Sequence, residues 1–384
     1  MAVGAASRQS PRWRALAGYA REAKPALATM LLVKVLTLAL GALSYQISTD
    51  QQLPGLRAAL AIWDRWDAPH YLDLARYGYE ATGERADWLV FYPLFPWLTR
   101  LFGRPFDDYL LGAFIVSTLA ALLAVALLDR LVRLDHGDAV AARAVWFFCI
   151  FPTSYFLHIG YTESLFLALA LGAFLAARLG WWPLAGVLGA LACLTRINGL
   201  ILLPALLVEA LVCYRQTRRF DPRWAWLALV PLGFAGYLLL NYRVTGDPFA
   251  FLAITRERWY KSFAPPWQGV GAMLQSRSWR PPVEVWTVVW QQALFLAIGL
   301  VGAVAAWLRL RPSYATWITL NLLLFTSTSF ILSVPRYSLI LFPLPILFAL
   351  LAARPAWHTA LTVWSLLLLS LLASLFILQI GMAY

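Results

Sequence analysis

Apolar residues recur along this chain in runs of roughly 17–25, each long enough to cross ~30 Å of hydrocarbon, with short polar turns between them. The pattern predicts about eleven spans, over residues 26–47, 107–128, 141–160, 162–178, 183–195, 198–213, 224–242, 285–308, 313–332, 337–353 and 358–380. The 183–195 segment is short for a crossing and is expected to be tilted or broken. Turns expected on the cytoplasmic side all carry Arg, and Arg215, Arg218, Arg219 and Arg223 form the clearest cluster. Two long loops, about 48–106 and 243–284, fall on the other side. The reading is an all-α polytopic membrane protein of one domain, 1–384, without a soluble domain, linker or nameable internal repeat.

Composition agrees. Apolar residues make up 61% of the chain and charged residues 13%, about half the charged share of a soluble domain. The net charge of +12 would raise nucleic acid as a partner in a soluble protein. Here the basic residues sit in loops, where they set topology, meet lipid headgroups or bind anionic substrates, and nucleic acid is not expected. Basic residues on the outer side need a reason beyond topology, and an anionic ligand supplies one. Cys149, Cys193 and Cys213 lie in or beside apolar runs without metal-like spacing, so packing is their expected role. The basic start (Arg8, Arg12, Arg14, Arg21, Lys24) resembles a signal peptide, but the run that follows is too long for one. It is expected to be an uncleaved first span, with the amino terminus cytoplasmic.

The first outer loop holds Trp63-Asp64-Arg65-Trp66-Asp67-Ala68-Pro69-His70-Tyr71. Pro69 suits a first helical turn and Gly78 a helix end, which predicts a short juxtamembrane helix over 68–77. Asp67 then has two readings. It can cap that helix, or it can act as a general base at the membrane boundary, where partial burial tunes its basicity. Asp64 is the other acidic candidate. Phe91-Tyr92-Pro93-Leu94-Phe95-Pro96 cannot continue a regular helix and is expected to dip into the interface and pack on the loop helix.

His158 and Glu163 fall near the outer ends of spans, where ionisable groups are functional candidates. His158 also suits a satisfied interface histidine, and Glu163 a helix cap. Arg196-Ile197-Asn198-Gly199 and Pro335-Arg336-Tyr337 sit at outer turns, and the second long loop adds Arg256, Glu257, Arg258 and Lys261. Guanidinium groups bind phosphate oxygens in bidentate fashion. Headgroup contact suits Arg258 and Lys261 better than Arg196 or Arg336. Asp67, His70 and Asp73 step around a helix without converging on a metal, so no metal site or other cofactor is expected. Gly-Lys-Ser/Thr, His-Glu-x-x-His and Gly-x-Ser-x-Gly motifs are absent.

Arg65-Trp66-Asp67-Ala68 with His70 and Gly78-Tyr79, Phe91–Pro96, Tyr161-Thr162-Glu163-Ser164-Leu165-Phe166, Arg196-Ile197-Asn198-Gly199 and Pro335-Arg336-Tyr337 occur in this order across most of the chain. Together they resemble the PIG-V family of mannosyltransferases, relatives of GPI mannosyltransferase 2. The resemblance implies a GT-C glycosyltransferase fold with its active site on the extracytoplasmic face of the cell membrane. It also implies an inverting transfer of mannose from a polyprenyl-phosphate donor to an acceptor hydroxyl, with Asp67 as base. Arg196, Arg336, His158 and Arg256 are then expected to bind the donor phosphate, and His70, Glu163, Asn198 and Tyr337 to contact substrate. The expected partners are the lipid-linked sugar, membrane lipids and a glycan, glycolipid or protein acceptor. A small membrane subunit is a candidate partner, as in eukaryotic relatives. The Ala-, Leu- and Arg-rich composition looks bacterial, so the family's acceptor does not carry over. The alternatives are a flippase or transporter of a lipid-linked sugar, and a GT-C transferase for another sugar.

Overall fold

The computed structural model describes residues 22–380. Arg8, Arg12, Arg14 and Arg21, which bear on the orientation of the first span, lie outside the described residues. Among the described residues the chain is helical, with one isolated antiparallel bridge, Phe263 to Thr328. Six helical stretches are long and apolar enough to cross a bilayer: Lys24–Thr49, Tyr109–His136, Ile197–Thr217, Pro222–Thr245, Pro282–Arg309 and Pro355–Ile377. Glu163–Arg178, Trp182–Cys193 and Pro312–Thr326 are shorter, at 16, 12 and 15 residues. At 1.5 Å per residue, the twelve-residue helix reaches only about 18 Å, in line with its expected shortness.

Two expected spans are interrupted. Only Asp138–Cys149 of the 141–160 run is a regular α-helix. Residues 150–162 follow as an irregular, fully buried segment with one 3-10 turn, Ser154–Leu157. Pro152 removes a helical donor. Irregular backbone survives at such depth because protein groups satisfy it. Lys34 Nζ donates to the His158 carbonyl at 2.6 Å, and Thr153 Oγ1 donates to the Pro335 carbonyl at 3.0 Å. The 337–353 run likewise divides into Val334–Ser338 and Pro343–Leu351, the second starting at a proline.

Helix Glu163–Arg178 is buried along nearly its whole length and packs against Tyr109–His136, Trp182–Cys193 and Leu202–Thr217. Its carboxyl end is tied by charge. Arg178 donates to both oxygens of Asp135 at 2.7 Å and to the Tyr314 hydroxyl at 2.8 Å. Nearby, Arg311 Nη2 and Ser313 Oγ each reach Glu209 at 2.6 Å. This network clamps four helices at one end of the bundle. The two long loops cover the other end.

There the juxtamembrane helix forms over Ala68–Tyr77, as its turn residues predict, and ends at Gly78 (φ +87°). Phe91 and Phe95 meet Tyr71 with ring centroids 5.0 and 5.4 Å apart. Phe91–Pro93 are non-helical, as expected, and helix Leu94–Gly103 then starts within the segment, with Pro96 in its first turn, where prolines are tolerated.

Candidate active site

Residues from four distant parts of the chain meet beneath the loops. The Asp67 carboxylate makes no hydrogen bond to the N–H groups of the helix it precedes. It pairs instead with Arg336 Nη1, from a turn 269 residues away. Arg336 is almost fully buried, and its Nε donates to Glu163 Oε1 at 2.5 Å. Arg196 Nη1 donates to the same oxygen and, at 2.8 Å, to Thr162 Oγ1. Glu163 is the first residue of its helix and is fully buried. It holds two guanidinium groups side by side rather than capping the helix. The second oxygen, Oε2, finds no partner among the described residues.

Arg196 is aimed by a tight return of the chain. After helix Trp182–Cys193 the backbone folds back through Ile197–Ile201, and Gly199 lies against the end of that helix. A Cβ at Gly199 would stand 2.4 Å from the Cys193 nitrogen, so a larger residue would push the Arg196 turn away.

The fifth charge comes from the second long loop. Lys261 Nζ lies 5.9 Å from the Tyr337 ring centroid and 5.5 Å from that of Phe330, and pairs with no carboxylate among the described residues. Its loop is fastened to residues 327–329 by Ser329 N to Ser262 O (2.9 Å) and Ala264 N to Ser327 O (3.4 Å). The charges of Asp67 and Glu163 cancel those of Arg196 and Arg336, and Lys261 leaves the group with one surplus positive charge.

Two cavities open on this group. One, of about 300 Å³, is lined by Arg196, Asn198, Thr162 and the apolar Ile197, Leu324 and Phe325. The other, of about 370 Å³, is lined by Trp66, His70, Trp259 and Phe330. Asp67, Phe91, Lys261, Arg336 and Tyr337 line both. Burial pushes the His70 imidazole below its usual value against the opposing pull of Asp67 and Asp73, so the ring facing the second cavity is neutral at pH 7. Non-glycine residues with positive φ stand beside the charges: Trp66 (+60°) before Asp67, Tyr260 (+53°) before Lys261, and Ser333 (+67°) before the Arg336 turn. Such conformations cost of order 1–3 kcal/mol each and collect where the backbone is held for a purpose.

The expected residues are thus sorted by place. Asp67, Arg196, Asn198, Arg336 and Tyr337 line the first cavity, and Asn198 Nδ2 is fixed by a 2.8 Å bond to Asn321. His70 lines the second cavity, and Glu163 lies beneath the pair of arginines. Three expected residues lie away from the two cavities. His158 faces neither cavity: its ring is buried in the core, without a hydrogen-bond partner among the described residues, because its segment turns inward. Arg256 is exposed and pairs with its neighbour Glu257 at 3.0 Å. Asp64 lines a separate cavity of about 620 Å³ on the far side of the juxtamembrane helix. Lys261 was expected to contact headgroups, yet it reaches both cavities. Its neighbours Arg256 and Arg258 carry similar charge, so nothing local distinguishes it.

Residues 92–240 match the family described as dolichyl-phosphate-mannose-protein mannosyltransferase. The chain is 34% identical to the mouse GPI alpha-1,6-mannosyltransferase 2 over 57% of its own length and 44% of that protein. With GPI mannosyltransferase 2 of Yarrowia lipolytica it shares 37% identity over 23% of this chain and 25% of that protein. The chain is thus similar to these mannosyltransferases over part of its length. It spans less than half the length of the curated relatives it matches. Among solved structures, ArnT from Cupriavidus metallidurans, bound to undecaprenyl phosphate, superposes with a TM-score of 0.52 at 18% identity, covering 86% of this chain and 61% of that one. The chain therefore shares the fold of that structure, the expected GT-C fold, and is a multi-pass membrane protein.

Proposed function

We propose that this protein is a membrane mannosyltransferase that takes its sugar from a polyprenyl-phosphate donor on the extracytoplasmic face of the cell membrane. The observation that carries the reading is the shared wall: Asp67, Lys261 and Arg336 each line both cavities. A reaction joining two substrates needs its base where they meet. The donor phosphate lies in the first cavity against Arg196, Arg336 and Lys261, with the lipid leaving past Ile197, Leu324 and Phe325. The acceptor enters the second cavity, its ring against Trp66, Trp259 and the neutral His70.

The acceptor hydroxyl attacks the anomeric carbon from the face opposite the phosphate, so the configuration inverts. Its proton passes to Asp67. The bond from the anomeric carbon to the phosphate oxygen breaks, and its electron pair leaves with the phosphate. An oxocarbenium-like sugar forms on the way, as in other glycosyl transfers. The charge that gathers on the leaving oxygen meets fixed cations, which cost no reorganisation as it develops. Arg336 has two duties. In the free protein it pairs with Asp67. A phosphate drawing on Arg336 loosens this hold and frees the Asp67 carboxylate to reach the acceptor hydroxyl, so the donor binds before transfer becomes fast.

The names of the relatives support mannose as the sugar. The test is transfer by purified protein in liposomes from polyprenyl-phosphate-linked mannose, glucose or arabinose. Mannose turnover well above the other two supports the reading. Preference for another sugar keeps the mechanism and corrects the substrate, and no transfer from any of the three to any hydroxyl acceptor rejects the enzyme.

A further inference from the structure

The site contains a buried side chain with no role in the reaction as described. Tyr161 lies in the irregular segment ahead of helix Glu163–Arg178 and is fully buried. Its hydroxyl donates to the Arg65 carbonyl at 2.8 Å and accepts the Asp67 N–H at 3.2 Å. These two groups flank Trp66, whose φ of +60° is uncommon for a bulky side chain. One phenol oxygen therefore uses both its donor and its acceptor capacity to fasten the backbone on either side of a strained residue. The face of the same ring supports the Arg336 guanidinium, 4.5 Å from the centroid, at cation–π distance. Arg336 in turn holds the Asp67 carboxylate.

Building on the proposed role of Asp67, we propose that Tyr161 is the positioning residue for the base, setting its backbone through the hydroxyl and its carboxylate through Arg336. The three groups form a closed circuit: hydroxyl to Asp67 backbone, Asp67 carboxylate to Arg336, and Arg336 to ring. Neither half suffices by itself. The backbone bonds leave the carboxylate free to rotate, and the ion pair leaves the strained turn free to relax. Tyr161 touches neither cavity, so its effect on transfer passes through Asp67.

Tyr161→Phe removes the two hydrogen bonds and keeps the ring beneath Arg336. Turnover is expected to fall roughly ten- to hundredfold, the scale of a base displaced by a fraction of an ångström to an ångström. Affinity for polyprenyl phosphate should change less than about threefold, because the cation–π support of Arg336 remains. The deciding measurement is the double variant. In an Asp67→Asn background, Tyr161→Phe should not reduce the residual rate further, since the group it positions is already lost. If the two effects multiply, Tyr161 acts on the fold or on phosphate binding and the proposal is overturned. Tyr314→Phe, which deletes a buried hydroxyl bonded to Arg178 and Asp135 at the opposite end of the bundle, controls for lost stability and should keep full turnover. If Asp67→Asn alone retains normal turnover, the base assignment fails. A reduced rate in Tyr161→Phe would then need another explanation, so the two failures remain distinct.

Discussion

Glu163→Gln tests the charge arrangement most severely, because it should move two observables in opposite directions. Glu163 is fully buried, and its Oε1 accepts from both Arg196 and Arg336. The amide keeps the shape and one acceptor oxygen but removes the charge that neutralises two guanidinium groups. Breaking a buried ion pair from one side costs about 3–5 kcal/mol. For a chain of this size that lowers the apparent melting temperature in detergent by on the order of 5 °C. The same change raises the site's surplus from one positive charge to two. For a phosphate about 6 Å from the lost charge, at an effective dielectric of about 20–40, the removed repulsion is about 1.4–2.8 kcal/mol. Affinity for polyprenyl phosphate should therefore rise roughly ten- to hundredfold. Melting measured with and without that lipid reads both effects, since ligand at about a hundred times Kd restores about 2.7 kcal/mol. A variant that melts like the wild type, or that binds the lipid no more tightly, would refute the reasoning.

Three further outcomes follow from the same geometry. Lys261→Met removes the surplus charge and should weaken donor binding about tenfold, as for a lost charge-assisted contact, whereas Arg256→Ala, at an exposed pair, should leave transfer within about twofold; titrating the donor in a transfer assay separates them. Burial, opposed by Arg65 and aided by Asp73, pushes the Asp64 carboxyl up to about 6 from its usual 3.8. The folded state then holds a proton that the unfolded state has released between about pH 4 and 6, so Asp64 favours the fold below that window and costs stability as pH rises through it. Asp64→Asn should accordingly melt higher than the wild type at pH 7 with the difference shrinking toward pH 4, which thermal scans across that range would check. With Arg196, Arg336 and Lys261 supplying the positive charge, exhaustive chelation with EDTA should leave transfer unchanged; loss restored by Mg²⁺ or Mn²⁺ would assign that role to a metal.

The fold was largely legible because lipid imposes long apolar runs, and the turns at Pro69, Gly78 and Pro312 punctuate them. Interruption of the spans was harder to see. Phe151–Ile159 continues the apolar run of the helix before it, and Pro152, Thr153, Ser154 and His158 hint that it bends. The site was legible in kind and only partly in detail. Cap and base are indistinguishable for Asp67 until Arg336 is known to reach it across 269 residues. Proximity in sequence misled at His158, whose backbone carbonyl meets Lys34 while its ring faces the core. Lys261 reads as a headgroup contact because charge in a basic loop says nothing of which side chain turns inward; the strained Tyr260 beside it is visible only in three dimensions.

The central claim is that Asp67, at the wall between the two cavities, serves as base in a sugar transfer. The most direct measurement compares wild type with Asp67→Asn in liposomes supplied with synthetic polyprenyl-phosphate-mannose and a hydroxyl acceptor, with polyprenyl phosphate binding measured in parallel. The account predicts transfer by the wild type, a loss of at least about a hundredfold in the variant, and retained lipid binding by both. Near-normal transfer in a folded Asp67→Asn variant would contradict it, as would movement of the intact lipid-linked sugar across the bilayer without transfer.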